Sequence, residues 1–126
     1  MPLRWDILHD EKLVHLVAEG TVTLKDLEAH FDAVLVAEAM PYAHLFDALD
    51  CQPIYSDDDV MAMAARVSAY VSIVKSGPLA VITLSDDVED TFKRFINLSS
   101  RRRPTRLFRT EAEARAWLAE QPLPNR

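Results

Sequence analysis

The sequence predicts a single α/β domain: a mostly parallel five-stranded sheet with an N-terminal β-hairpin and four helices, in the order β-β-α-β-α-β-α-β-α. Three observations carry that expectation. The chain has 126 residues, enough for one core and too few for two. Short apolar or β-branched runs alternate with longer stretches in which apolar residues recur every three or four positions, the pattern of βαβ units with right-handed crossovers. Finally, Leu79-Ala80-Val81-Ile82-Thr83-Leu84 is nearly continuous in its apolar character, as a strand covered on both faces of a parallel sheet must be.

Each element has a local cause. Leu3–Leu8 partly alternates apolar with charged residues, Leu13–Ala18 is apolar and β-branched, and Asp10-Glu11 sits between them in turn position, which makes a hairpin. After Gly20, the Thr23 hydroxyl can cap a helix while Asp26 reaches back to it. Leu24, Leu27, Phe31, Val34 and Leu35 then form one apolar face, and the helix is expected to run from about 24 to about 39, stopped by Pro41. Ala43–Leu49 reads as the third strand. Ser56, with Asp59 three residues on, opens a second helix striped by Val60, Ala64, Val67, Val71 and Val74, which closes before Gly77-Pro78.

The strand Leu79–Leu84 is expected to be central. It leads to a third helix capped by Ser85 or Asp86, with Val88, Phe92, Phe95 and Ile96 facing inward. Arg103-Pro104 stops it, Arg106–Phe108 is a short last strand, and Thr110-Glu111-Ala112-Glu113 is a capping box for a final helix that buries Ala114, Trp117 and Leu118. The domain is expected to span residues 1–120, with 121–126 as a frayed tail.

Composition excludes several classes. No apolar run approaches the ~20 residues of a membrane span, and residues 1–20 carry too many charges for a signal peptide, so the expectation is a cytoplasmic protein. Cys51 is the single cysteine, which rules out an intrachain disulfide and a cysteine-based zinc site. With glycine only at 20 and 77, neither a P-loop nor a dinucleotide fingerprint can be built. The net charge of −6 divides unevenly: 3 basic and 13 acidic residues precede Met61, and 11 basic and 7 acidic follow Val60. Nucleic acid is therefore not an expected partner, and any polyanion contact must be local to the second half.

The order of elements, with Leu13-Val14-His15-Leu16, Gly20, Thr23-Leu24, the strand ending Phe46-Asp47-Ala48-Leu49, the strand Ala80-Val81-Ile82 and the closing RLFRTEAEARAWL (Arg106–Leu118), resembles the SpoIIAA-like proteins. These are small bacterial proteins related in fold to STAS domains, the group that contains the anti-sigma factor antagonists. The closing segment is similar to that family's final short strand and EEAxxWL helix. The resemblance implies a STAS-like α/β fold and a cytoplasmic role in binding or regulation. It also implies a regulatory serine near the start of the helix after the third strand, where Ser56 falls; the flanking Tyr55 and Asp57-Asp58-Asp59 depart from the Ser/Gly-rich run of those antagonists.

Candidate chemistry is sparse. His9, His15, His30 and His44 show no i, i+4 pairing and no neighbouring ligand set, so structural roles are expected and neither a metal nor another cofactor is predicted. Cys51 reads as a small buried hydrophobe, since nothing places His44 beside it. Asp47 and Asp50, with Asp57-Asp58-Asp59, could offer hard oxygen ligands, but the three consecutive acids suit the first turn of a helix without any ion. No catalytic residue is assigned.

Two surfaces stand out instead. Ser56, Asp57, Asp58 and Met61, at the start of the second helix, form a candidate partner-binding surface, Met61 adding a flexible apolar group. Seven basic residues and no acid lie between Lys93 and Arg109, and Arg101, Arg102, Arg103 and Arg106 form a candidate patch for an anion or an acidic partner. The expected function is a non-enzymatic binding module that engages a protein partner or a second copy of itself. The alternative is a small-molecule or lipid-binding domain with an apolar pocket between sheet and helices.

Overall fold

A computed structural model describes residues 2–53, 57–73, 75–98 and 104–124. The elements follow the expected order: β1 (Leu3–Leu8), β2 (Leu13–Val22), α1 (Leu24–Val36), β3 (Ala43–Pro53), α2 (Asp57–Ile73), β4 (Leu79–Ile82), α3 (Asp86–Leu98), β5 (Thr105–Phe108) and α4 (Glu111–Glu120). The strands lie side by side in chain order. β1 and β2 are antiparallel, and every later pair is parallel. β4 is thus an interior strand between β3 and β5, and β3 holds the middle of the sheet.

Three successive right-handed crossovers in one direction place α1, α2 and α3 on the same face. Leu16, Phe46 and Val81 of the sheet pack there with Leu27 of α1 and with Val88 and Phe92 of α3. The opposite face is covered by α4, whose Ala114 and Leu118 pack on Leu45, Ala80 and Ile82. Leu45, Ala80, Val81 and Ile82 are fully buried, the two faces of β4 being served by different helices. Phe92 and Trp117 are only half-buried, and the Phe95 side chain lies outside the described residues.

Local chemistry explains most boundaries. The Thr23 hydroxyl accepts the Asp26 N–H at 3.2 Å and the Asp26 carboxylate accepts the Thr23 N–H at 2.9 Å, a complete capping box. α3 is capped by Ser85, whose Oγ accepts the Val88 N–H at 3.3 Å. Thr110 accepts the Glu113 N–H at 3.2 Å, but the Glu113 carboxylate takes the Thr110 hydroxyl at 2.9 Å, so this box closes through the side chain.

Several boundaries differ from expectation: β2 runs on to Val22, past Ala18. α1 ends at Val36, earlier than about residue 39, because Glu38 adopts a left-handed conformation with φ 57°. Ala39 N–H donates to Val34 O at 3.0 Å and Glu38 N–H to Leu35 O at 3.1 Å, the paired bonds of a Schellman ending that satisfies the last carbonyls without help from Pro41. β4 stops at Ile82, two residues short; Leu84 is 62% exposed. β3 continues to Pro53, beyond Leu49. Its partners on β2 show how: Val17 pairs with Asp47, but Glu19 pairs with Asp50, so β3 carries one extra residue there. This bulge restores the phase of the pleat, and Cys51 points into the same core as Phe46 and Ala48 despite the odd spacing.

Candidate functional site: the carboxyl edge of the sheet

In parallel α/β sheets the loops after the strands' carboxyl ends are the usual binding edge. Here that edge is shaped by the bulge in β3. The Asp47 carboxylate accepts the Leu49 N–H at 3.1 Å, folding the side chain onto the bulge and leaving Leu49 41% exposed with Asp50 beside it in solvent. On the neighbouring strand, Leu84 is exposed just past the end of β4, and the Thr83 hydroxyl accepts the Ser85 N–H at 3.1 Å. Leu49 lies within β3 as the sequence implies, whereas Leu84 falls outside β4; the polar Ser85-Asp86 that follows Leu84 is the signal in the sequence that the strand ends early.

α2 starts at this edge. Met63 and Ala64 are buried, Met63 among Leu24, Leu27 and Phe31 of α1, whereas Met61 is 58% exposed and Asp58 is also exposed. Asp57 is the first residue of α2; its side chain and all of Ser56 lie outside the described residues. Arg66, further along α2, stands 3.8 Å from Glu28 and 4.0 Å from Asp32 of α1 and ties the two helices together at the surface.

The basic candidates divide. Arg101, Arg102 and Arg103 lie outside the described residues. Arg106 is exposed on β5, its guanidinium 5.6 Å from the centre of the Phe108 ring. Lys93 pairs with Glu89 at 3.0 Å, one helical turn away; that contact holds the Glu89 carboxyl below its usual range and raises the Lys93 ammonium.

The remaining titratable candidates are dispersed. His9 shares a hydrogen bond of 2.8 Å with the Tyr42 hydroxyl, His44 Nε2 donates to Met40 O at 3.1 Å, and His30 is buried edge-on to Trp5. The half-buried His15 sits opposite Asp6 across the β1–β2 pair, its Nε2 buried without a hydrogen-bond partner among the described residues. Cys51 and His44 stand seven residues apart on one strand, roughly 20 Å at the usual rise, too far for the imidazole to activate the thiol. Burial pushes the Cys51 thiol up to about 11, the opposite of what a nucleophile needs. Among the described residues, no three histidine, cysteine or acidic side chains stand close enough to hold a metal ion, and no helix is long and apolar enough to cross a membrane.

No protein-family profile and no curated protein matches the chain. The structure is similar to the crystal structure of an uncharacterized protein from the DUF3478 family, with a SpoIIAA-like fold, from Shewanella loihica PV-4. The TM-score is 0.60 at 15% identity, over 92% of this chain and 91% of that one. The fold is SpoIIAA-like.

Proposed function

We propose that this SpoIIAA-like fold serves as a non-enzymatic, STAS-like binding module in the cytoplasm, engaging a protein partner through the carboxyl edge of the sheet and the start of α2. Ser56, Asp57, Asp58 and Met61 form the contact surface. The observation that carries the reading is the split between two methionines of one helix: Met63 is 5% exposed and holds α2 to α1, while Met61 is 58% exposed near the exposed Asp58. A methionine in water gives an adaptable apolar contact, and surrounding acids select a partner of opposite charge. Arg101, Arg102, Arg103 and Arg106 would serve an acidic surface, including the acidic first half of a second copy.

Affinity capture from the source cell with the wild-type protein and a Met61→Glu variant as paired baits tests this. A single reproducible protein held by the wild type and lost by an equally stable variant supports the reading. Equal retention by both baits removes Met61 from the contact and overturns it.

A further inference from the structure

The two helices at the β5 side of the sheet leave its carboxyl edge in opposite directions. α3 follows β4 and packs Val88 on the face that holds Val81, whereas α4 follows β5 and packs Ala114 and Leu118 on the face that holds Ala80 and Ile82. Neighbouring parallel strands whose next helices diverge leave a crevice between them, and small ligands bind in such crevices. This one contains a hollow of about 240 Å³ lined by Thr83, Glu89, Arg106, Phe108, Arg109 and Glu113. That is below the ~300–1,000 Å³ of a drug-sized ligand's pocket, so the hollow suits a smaller molecule.

Within the hollow the Arg109 guanidinium lies near enough to Glu89 to help lower that carboxyl, without closing an ion pair with it. Glu89 is bridged to Lys93, and Glu113 holds the Thr110 hydroxyl. Neither Arg106 nor Arg109 forms an ion pair with a described residue. Thr83 is 5% exposed, and because its oxygen accepts the Ser85 N–H, its own proton is left to donate. Two guanidiniums and a buried hydroxyl beside an aromatic ring suit an oxyanion with a compact apolar body.

We propose that this crevice binds a small organic anion, its phosphate or carboxylate gripped by Arg106 and Arg109 with the Thr83 hydroxyl as a third donor, and its apolar part against Phe108. The site shares Arg106 with the basic patch but no residue with the partner surface on α2, so the failure of the Met61 contact and the failure of the crevice are told apart.

Titration of the full, isotope-labelled chain by NMR with phenyl phosphate, benzoate and inorganic phosphate tests the proposal. We expect saturable shifts of the Thr83, Phe108 and Arg109 amides with at least one organic anion, the tighter of the two telling phosphate from carboxylate as the preferred head. Arg106→Gln and Arg109→Gln, both at exposed positions, are expected to weaken binding roughly tenfold each, and Glu113→Gln to tighten it by removing a repelling charge. Met61→Glu is expected to leave it unchanged. The proposal is overturned if no organic anion saturates by roughly 10 mM, if the shifts survive in the double arginine variant, or if inorganic phosphate binds as tightly as phenyl phosphate.

Discussion

Gly77 lies against the backbone of Tyr42 so closely that a Cβ on Gly77 would stand 2.0 Å from the Tyr42 carbonyl oxygen and 2.6 Å from that of Pro41. The Gly77 N–H donates to Met40 O at 2.8 Å, which pins the entry to β4 onto the entry to β3. The obstructing atoms are main chain and cannot rotate away, so Gly77→Ala is expected to cost ~3 kcal/mol or more. Gly20 is the contrast: its φ of +73° is left-handed, but no atom lies within 4 Å of an added Cβ. Gly20→Ala carries only the conformational cost, ~1 kcal/mol. Urea unfolding of the two variants checks the ranking, and equal losses would remove the close approach.

Glu38 ends α1 in a conformation that glycine adopts freely. Glu38→Gly is expected to raise the urea midpoint, by ~0.5–1 kcal/mol of stability, and Glu38→Val to lower it, because a β-branched residue tolerates that φ least. A destabilising glycine substitution would mean that the Glu38 side chain contributes more than its backbone strain removes.

The Cys51 thiol gives stability a defined alkaline limit. Its pKa is about 11 in the folded protein against 9.0 for an ordinary thiol, so the native state holds the proton more tightly than the unfolded chain does. This contribution is complete below pH 9 and is lost as pH rises from 9 to 11, about 2–3 kcal/mol in all. Over that window, wild-type stability is expected to fall more steeply than that of Cys51→Ala, measured by denaturant titration at each pH. Parallel curves would show that the thiol titrates normally.

Arg101, Arg102 and Arg103 are expected to act on a partner and not on folding. Replacing all three with Gln is expected to leave stability within about 1 kcal/mol while weakening an acidic partner. Unfolding of the triple variant would make the run structural.

Ser56 is expected to be a helix cap for α2 and not a phosphorylation switch, since Asp57, Asp58 and Asp59 already occupy the favourable field at the helix start and would repel a phosphate. Ser56→Ala is expected to cost ~1 kcal/mol and Ser56→Asp little, because Asp caps equally well. Loss of the partner by a folded, equally stable Ser56→Asp protein would establish the switch.

What could be read from the sequence was what neighbouring residues decide. The hairpin and the Thr23 and Thr110 caps follow from contacts a few positions apart and stand in the structure, as does the buried run expected for β4, except for its last residue, Leu84. The bulge in β3 was not legible, because its cause is pairing with β2, some thirty residues away. Nor was the end of α1, where glutamate occupies a position at which glycine would have announced itself. For the candidate site, the acids and Met61 at the start of α2 could be named from spacing. The crevice could not, since Glu89, Arg106 and Glu113 come from three different elements and Thr83 from the loop after β4, and they meet only because α3 and α4 take opposite faces.

The strand order has a bearing on how the chain reaches its native state. Each strand pairs with the one that precedes it, so its neighbour has already been synthesised when it appears. Contacts of modest sequence separation close early and at low entropic cost, and such a sheet can zip from its N-terminal hairpin outward. The last step differs from the others: until α4 arrives, Leu45, Ala80 and Ile82 present a bare apolar surface with all five strands already in place. Chains halted there are the species most prone to associate, and hydrogen exchange is expected to show α4 and β5 opening before the hairpin.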